Sequence, residues 1–329
     1  MESNTDLSSA YAYLERLRYC ICCPRECGVN RFTSERGFCQ SGVDFEIGAI
    51  CRHRGEEPVI SGSRGICNVF FARCNMQCSF CQNYQISRTK TAARASFWAL
   101  EAAVNEIERL LDEGCHAVGF VSPSHFIPQM LAVIHALRLR GRRPVVVMNT
   151  NGYDKVSVLR ELDKWVDVYL PDLKYMDGML ARTWSQTPDY PDVARAALRE
   201  MYRQRGSYLW LNSEGVAEKG LVIRHLVMPG AVDNSLACLR FVAEELSPSV
   251  HLSLMSQYHP TPWVRDHTDL GRTLYKEEYA RVVEEMEQLG FDQGFCQPMD
   301  AHDFYRPDFA RPHPFEWPRT VPEPAAVSG

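Results

Sequence analysis

The sequence predicts an α/β fold in which about six strand and helix pairs form a parallel sheet curled into a partial (β/α)6 barrel of the TIM type. Two observations support this prediction. From residue 66 onward, short apolar runs rich in β-branched and aromatic residues alternate with segments whose apolar residues recur every three to four positions. These are the patterns of buried strands and of helices that pack through one face. Such an alternation predicts parallel strands joined by right-handed crossovers.

The elements follow one another in a regular order. The predicted strands occupy residues 66–71, 116–121, 144–148, 166–170, 221–227, 250–254 and 294–296. The predicted helices lie near residues 97–113, 127–137, 154–163, 191–204, 234–246 and 274–289. An extra strand or hairpin arm is predicted at 208–211. The first helix shows the pattern well, because Leu100, Val104 and Ile107 share one face and Gly114 ends the helix.

The two ends of the chain differ from this central region. Residues 1–65 hold six of the thirteen cysteines and are predicted to form a metal-binding extension. Residues 66–300 are predicted to form the barrel, and residues 301–329 a proline-rich tail. Six prolines in this tail exclude helix and central strand alike. We therefore expect an extended wrap in its aromatic part and disorder at its end.

Composition limits the compartment and the partners. The formal net charge is −5 and the isoelectric point is about 6.1, so no basic field attracts nucleic acid or an anionic membrane. No apolar run reaches the roughly 18 residues of a spanning helix, and the polar residues 1–6 lack the regions of a signal peptide. The sequence therefore predicts a cytoplasmic protein without a membrane or nucleic-acid partner. Thirteen cysteines in that reducing compartment favour metal ligands over disulfides.

Three cysteines stand close together after the first predicted strand. Cys74, Cys78 and Cys81 are separated by three and then two residues, in a loop at the end of the barrel where sites are built. A [4Fe-4S] cluster held by three thiolates keeps one iron open for an exchangeable ligand. The alternatives are a zinc ion with a distant fourth ligand and thiols that lie on adjacent helical turns.

Polar residues follow several of the other predicted strands. They are Ser122, Ser124, Asn149, Asp172, Lys174 and, within the fifth strand, Arg224. Because the carboxyl ends of parallel strands meet at one mouth of a barrel, these residues are candidates for ligand binding. Taken singly, each has a structural alternative as a helix cap, a turn residue or one partner of a surface ion pair.

A second group of cysteines precedes the barrel. Cys20, Cys23, Cys27 and Cys39 are separated by two, three and eleven residues, and they fit a closed tetrahedral site for zinc or a second iron-sulfur cluster. Cys22 stands next to Cys23, so the ligand set is ambiguous by one residue. Unpaired thiols without a metal are the alternative.

The three-cysteine loop also carries a resemblance to a known family. With Phe80 before its third cysteine and Gln82-Asn83 after it, it resembles the signature loop of radical S-adenosylmethionine (radical SAM) enzymes. The resemblance implies that the open iron of the cluster binds the amino and carboxylate groups of S-adenosylmethionine, and it places Asn83 among the candidate contacts. It also implies reductive cleavage to a 5′-deoxyadenosyl radical that abstracts hydrogen from a substrate, and an electron donor of the flavodoxin or ferredoxin type.

Three further segments, 149–152, 172–177 and 224–230, resemble the glycyl-radical-enzyme activases typified by pyruvate formate-lyase activating enzyme. The cofactor contacts that this resemblance implies are Asn149, Asp172, Lys174 and Arg224. The chain departs from the activase pattern after its second strand. Activases carry Gly-Gly-Glu there to hold the amino group of S-adenosylmethionine, whereas this chain has Ser122-Pro123-Ser124-His125. Oxygen atoms of Ser122 and Ser124 are candidates to accept those amino hydrogens.

The upstream cysteines, with Cys23-Pro24-Arg25 and the acidic turn at 55–58, resemble an activase-like branch of the radical SAM proteins. This resemblance covers nearly the whole chain before the tail and implies no particular substrate. The predicted activity is hydrogen abstraction, from a glycyl residue of a partner enzyme or, alternatively, from a peptide or small molecule. A non-catalytic zinc or electron-transfer protein is the alternative from a different class.

Overall fold

The computed structural model describes residues 6–89, 95–311, 313–315 and 324–327. The strands are β1 (Phe45–His53), β2 (Ile66–Phe71), β3 (Ser96–Trp98), β4 (Ala117–Val121), β5 (Val145–Thr150), β6 (Val168–Pro171), β7 (Trp210–Leu211), β8 (Ala217–Leu226), β9 (His251–Met255), β10 (Gly294–Cys296) and β11 (Ala325–Ala326). The α-helices are α1 (Pro58–Ser61), α2 (Tyr84–Ser87), α3 (Leu100–Asp112), α4 (Ile127–Leu139), α5 (Val156–Leu162), α6 (Gly178–Ser185), α7 (Tyr190–Arg205), α8 (Val232–Glu245) and α9 (Lys276–Gln288). 3-10 helices span Ser8–Tyr19, Pro123–His125 and Ala301–Asp303.

Parallel strands form the centre of the sheet, in the order β2, β4, β5, β6, β8, β9 and β10. The helices α3, α4, α5, α7, α8 and α9 follow six of these strands in chain order. The predicted α/β partial barrel is therefore confirmed, with a seventh parallel strand at its end. The predicted arm at 208–211 is the short strand β7, which pairs antiparallel with β8.

Antiparallel strands extend this sheet at both edges. On one side β1 pairs with β2 and β3 pairs with β1, and on the other β11 pairs with β10. The sequence analysis did not predict β1, whose run Phe45–His53 includes a glutamate, a glycine and an arginine. Gly48 allows the side chain of Ile86 to approach, since a Cβ atom at Gly48 would lie 2.8 Å from it. Helix α6 also went unpredicted.

The cysteine-rich extension packs directly on the barrel. Helix α4 is buried around almost its whole circumference, because the 3-10 helix Ser8–Tyr19 and α3 pack against it and its apolar residues share one hydrophobic core with those of the strands. Leu14 and Leu17 of that 3-10 helix join the main hydrophobic core. A helix that is apolar all round is stable only when it is enclosed in this way. The extension and the barrel thus share one core.

The C-terminal segment crosses the face of β2. The rings of Phe309 and Phe315 lie 5.6 Å and 4.9 Å from that of Phe70, measured between centroids. The backbone N–H of Phe309 donates a hydrogen bond to Gln85 at 2.6 Å. The expected disorder at the end of the tail concerns residues that lie mostly outside the described ranges. Within the described residues, none of the helices combines the length and the apolar character needed to cross a membrane.

Candidate functional site

A cavity, called the barrel cavity below, lies where the loop after β2 meets the ends of the neighbouring strands. Its walls contain all three loop cysteines together with Asn83, Ser122, Asn149, Asp172, Lys174 and Arg224. Six of the seven predicted cofactor contacts therefore line the same space as the three predicted cluster ligands. This is the arrangement expected of a site at the carboxyl ends of barrel strands.

The three-cysteine loop is held in place by backbone hydrogen bonds to surrounding elements. The N–H of Ser79 donates to the carbonyl of Trp184 in α6 at 2.8 Å, and Thr261 donates from its hydroxyl to the carbonyl of Ser79 at 2.6 Å. At the start of the loop, Arg73 takes a left-handed φ of 62°, and its side chain forms an ion pair with Glu46 at 2.6 Å. The loop is thereby fixed by groups outside itself, as a preorganised ligand site requires.

Each of the three sulfur atoms accepts a hydrogen bond. Asn151 donates to the Sγ atom of Cys74 at 3.4 Å, Ser185 to that of Cys78 at 3.0 Å, and Ser87 to that of Cys81 at 3.3 Å. Donors aimed at sulfur suit thiolates that ligate a metal, because they stabilise the charge that thiolates carry and tune the centre that they hold. The donor set therefore fits a [4Fe-4S] cluster.

Burial keeps the thiols of Cys74 and Cys78 protonated at neutral pH unless a positive centre binds them. Burial raises the pKa of Cys74 to about 12 and the pKa of Cys78 to about 11. Lys174 opposes the second shift. Nowhere in the described part of the chain do three or more Cys, His, Asp or Glu side chains converge as ligands of one metal ion. A four-iron cluster does not need such convergence, because its thiolates bind different iron atoms.

An ion pair lies beside Cys78 in the barrel cavity. The Nζ atom of Lys174 is 2.5 Å from Oδ2 of Asp172. Burial is the largest single influence on the pKa of Lys174 and would lower it, but the charge and hydrogen bond of Asp172, together with the nearby sulfurs, outweigh burial and raise that pKa. The ammonium group therefore stays charged at neutral pH. The pair offers a cation and a carboxylate to a ligand that carries both a carboxylate and hydroxyl groups.

Arg224 is held at the far end of the cavity by two acidic residues that the sequence analysis did not select as site residues. Its Nη2 atom lies 2.9 Å from Oε2 of Glu56 and its Nε atom 3.0 Å from Oε1 of Glu57. Asn149 also donates to Glu56, at 3.2 Å. Glu56 lines the cavity although it comes from the extension before the barrel. The acidic pair before Pro58 reads as an exposed turn, so the sequence carries no signal for this burial.

The two serines after β4 have different surroundings. Ser122 takes a left-handed φ of 50° and lines the barrel cavity. Ser124 is buried behind it, with its hydroxyl 3.3 Å from that of Thr150, and it is not among the residues that line the cavity. The structure thus brings Ser122 to the site and leaves Ser124 in a supporting position.

Asn151 belongs to the site although it reads as one half of an Asn-Gly turn. Its amide bonds both the sulfur of Cys74 and, at 2.8 Å, the side chain of Asn75. Gly152 has a φ of 77°, and a Cβ atom there would lie 2.3 Å from the carbonyl oxygen of Asp172. Only glycine allows this close approach of two strand-end loops.

None of the five upstream cysteines lines the barrel cavity. Cys20, Cys22, Cys23 and Cys39 are buried and Cys27 is half-buried. The Sγ atoms of Cys20 and Cys22 are 3.7 Å apart. The Sγ atom of Cys27 accepts a hydrogen bond from the backbone of the segment leading to Cys39, at 3.4 Å.

Two side chains connect this upstream group to the cluster loop. Arg25 donates to the carbonyl of Asn75 at 3.0 Å, and its guanidinium stacks on Phe38 at 3.6 Å from the ring centroid. The ring of His125 lies 2.9 Å from the carbonyl of Ala72, and burial lowers the pKa of His125 to about 3. His125 is therefore a neutral structural link at physiological pH.

Comparison with known proteins agrees with this geometry. Residues 68–206 match the family model of the Radical SAM superfamily. The uncharacterized protein MJ0674 of Methanocaldococcus jannaschii is 28% identical over 282 residues, which are 83% of this chain and 75% of that protein.

Solved structures also resemble parts of the chain. Streptococcus suis SuiB superposes with a TM-score of 0.46 at 13% identity, over 69% of this chain and 47% of SuiB. Methylornithine synthase (PylB) gives a TM-score of 0.47 at 15% identity, over 69% of this chain and 64% of that enzyme. The match spans less than two thirds of the length of either structure.

Proposed function

We propose that the chain is a radical SAM enzyme that uses a [4Fe-4S] cluster to cleave S-adenosylmethionine reductively, since residues 68–206 match the family model of that superfamily. When bound, the cluster supplies the electron and S-adenosylmethionine supplies the 5′-deoxyadenosyl radical that abstracts hydrogen from a substrate. A low-potential donor of the flavodoxin or ferredoxin type would reduce the cluster.

One observation carries this proposal. Three sulfur atoms that each accept a hydrogen bond face the same cavity as a half-buried cation and carboxylate pair, Lys174 and Asp172. A closed structural metal site has no reason to adjoin a polar cavity, whereas a site that binds an exchangeable ligand needs one. The arrangement therefore supports catalysis over the alternative of a non-catalytic zinc or electron-transfer protein.

Different residues of the cavity would bind different parts of the cluster and of S-adenosylmethionine. Cys74, Cys78 and Cys81 would ligate the cluster. The hydroxyl of Ser122 can accept hydrogens from the amino group of S-adenosylmethionine, in place of the glutamate that activases carry. Lys174 can bind its carboxylate, and Asp172 and Asn149 can bind the ribose hydroxyls. The cavity walls would keep water away from the radical.

The test is anaerobic. Protein with a full complement of iron is incubated with S-adenosylmethionine and dithionite, and 5′-deoxyadenosine is measured by liquid chromatography and mass spectrometry. We expect product from the natural chain and from Cys115→Ala, a variant at a buried cysteine outside both groups, and no product from Cys78→Ala. Absence of product from fully iron-loaded natural protein would refute the proposal.

The substrate has two candidates. A glycyl residue of a partner enzyme is favoured by the likeness of segments 149–152, 172–177 and 224–230 to activases. A small molecule or short peptide is favoured by the C-terminal segment, because Tyr305, Pro307 and Phe315 form part of the cavity wall. A folded partner approaching from that side would have to displace this segment, whereas a small substrate would not.

Isotope transfer separates these candidates. Cells are grown in deuterated medium, and their extract is divided by ultrafiltration into a small-molecule and a protein fraction. Each fraction is incubated with unlabelled protein, S-adenosylmethionine and reductant. The product of interest carries a single deuterium, whereas endogenous deuterated S-adenosylmethionine gives multiply deuterated 5′-deoxyadenosine. Singly deuterated 5′-deoxyadenosine from the small-molecule fraction alone supports the second candidate, and the same product from the protein fraction alone supports the first.

A further inference from the structure

The upstream cysteines surround a buried positive charge. Arg31 is only 3% exposed. Its Nη1 atom donates to the carbonyl of His125 at 2.8 Å, and its Nη2 atom points at the sulfurs of Cys39, at 3.5 Å, and Cys22, at 3.9 Å. Cys20 and Cys23 are also close enough to interact electrostatically with this guanidinium.

This charge lacks its usual partner. Among the residues described by the structure, none of the carboxylates forms an ion pair with Arg31. By contrast, the buried Arg205 pairs with Asp163, and Arg224, whose side chain is 11% exposed, pairs with two glutamates. A buried guanidinium is strongly unfavourable unless negative charge balances it. The groups that face Arg31 are thiols and a carbonyl, and thiols are weak hydrogen-bond acceptors when protonated.

We propose that the segment from Cys20 to Cys39 holds a thiolate-ligated metal centre with net negative charge, and that Arg31 is the cation that neutralises it. Cys20, Cys23 and Cys39 are ligands in this proposal, with the fourth thiolate from Cys22 or Cys27. Four thiolates leave two negative charges on a divalent zinc ion, and likewise on an oxidised four-iron cluster. Either centre supplies the anion that the buried guanidinium requires.

The geometry is consistent with a site that closes on binding. The separation of 3.7 Å between the sulfurs of Cys20 and Cys22 is close to the roughly 3.8 Å between two thiolates on one tetrahedral zinc ion. The remaining sulfurs do not converge on that point, so side chains must turn inward on metal binding, as is usual for sites that form together with the fold. None of the five upstream cysteines lines the barrel cavity, which marks the centre as closed and distinct from the cluster loop.

The first experiment asks whether the centre exists. In the full chain with Cys74, Cys78 and Cys81 all replaced by alanine, purified anaerobically, we expect about one zinc ion or about four iron atoms per chain by plasma mass spectrometry. Zinc indicates a mononuclear site and iron a cluster, and each supports a metal centre. Adding Cys39→Ala should remove this metal, whereas adding Cys115→Ala should not. A triple variant that is folded by circular dichroism and holds neither metal overturns the proposal.

The second experiment tests the role of Arg31. The substitution Arg31→Met should weaken metal retention in the metal-bound protein but stabilise the metal-free protein. With metal bound, Arg31→Met should release it to a chelator at least tenfold faster than the natural chain, and Arg31→Lys should restore most of the retention. After complete removal of metal, the same Arg31→Met change should raise the unfolding midpoint in urea, because the uncompensated charge is gone. Lower stability of Arg31→Met in both states, with no effect on metal release, would show a purely structural arginine and refute the assignment.

Discussion

The two groups of cysteines are linked through one short stretch of chain, residues 72–76, which contains Cys74 itself, but their surroundings differ. In the loop after β2, each sulfur receives its hydrogen bond from a different residue, and the sulfurs face the barrel cavity. In the upstream segment, four buried thiols gather about the single cation Arg31, away from that cavity. Both groups place several cysteines where negatively charged thiolates would be stabilised. Only the loop after β2 faces a cavity that a ligand could enter.

This difference bears on what each group can do. A metal centre that performs chemistry keeps a coordination position open to a ligand, whereas a structural centre is closed by its own ligands. The cation near the loop, Lys174, is balanced by Asp172 within the protein, so the pair can exchange partners with a bound ligand. Among the residues that the structure describes, no carboxylate pairs with the upstream cation, Arg31, which faces thiols instead. The contrast predicts that the two groups can be disabled independently.

The largest expected effect is a crossed loss of metal and activity. Cys78→Ala should abolish 5′-deoxyadenosine formation, since a cluster ligand is removed, while the upstream metal remains. Cys39→Ala should remove the upstream metal and leave iron in the loop. Metal content per chain and product formation are measured on both variants. If Cys78→Ala also empties the upstream site with its fold intact, the two groups form one centre and the comparison fails.

A smaller effect is expected at the ion pair beside the loop. Asp172→Asn removes the carboxylate that balances Lys174 and that we assign to the ribose hydroxyls, so S-adenosylmethionine should bind about 10- to 100-fold more weakly, the equivalent of one or two charge-assisted hydrogen bonds. Equilibrium dialysis of the reconstituted protein measures this affinity. The exposed residue Asp192 provides the control Asp192→Asn, which should bind normally. Unchanged affinity in Asp172→Asn would remove Asp172 from the site.

The sequence was sufficient to predict the barrel and most of its mouth. The strands of a parallel sheet are buried on both faces and read as apolar runs, so β2, β4 and β5 are visible from composition alone. Their order then fixes which loops share an edge. That is why Asn149, Asp172 and Lys174 could be selected before their contacts were known.

The remaining features depend on tertiary contacts that local patterns do not encode. Strand β1 includes Glu46 and Gly48 and is stabilised by its pairing with β2. The carboxylate of Glu56 lies in the cavity because it forms an ion pair with Arg224 there and accepts hydrogen bonds from Asn149 and Asn68. Intrinsic helix and strand propensities predict neither strand β1 nor the position of Glu56, since packing and charge pairing override those propensities. The spacing of the upstream cysteines likewise gave no sign that Arg31 would lie among them.

The pH dependence of stability offers a third way to sharpen the comparison. In chelator-treated protein, burial raises the pKa of Cys74 to about 12 from its ordinary 9.0, so the stabilisation from the neutral thiol is complete below pH 9 and is lost as the pH rises toward 12. The free energy of unfolding should therefore fall by up to about 1.4 kcal/mol per pH unit from this thiol alone. Urea unfolding from pH 8 to 11 measures the slope. Cys74→Ala should have a shallower slope than the natural chain, and an equal slope would contradict the assigned shift.

The smallest expected effect concerns the hydrogen bond from Ser185 to the sulfur of Cys78. A donor to a ligating thiolate favours the reduced, more negative cluster, so Ser185→Ala should lower the reduction potential without loss of iron. If the reduced state loses about 1 kcal/mol more than the oxidised state, the shift is about 40 to 50 mV. A potentiometric titration monitored by electron paramagnetic resonance measures this reduction potential. The signal of the loop cluster is identified as the one that is lost in Cys78→Ala.

The control for this variant is Ser235→Ala, because Ser235 is a buried serine of α8 that is hydrogen-bonded to the carbonyl of Ala231. Ser185 donates to a sulfur of the loop after β2, so the upstream centre should keep its metal content and any reduction potential in both variants. An equal change in the upstream centre would mean that the two groups share their electrostatic environment.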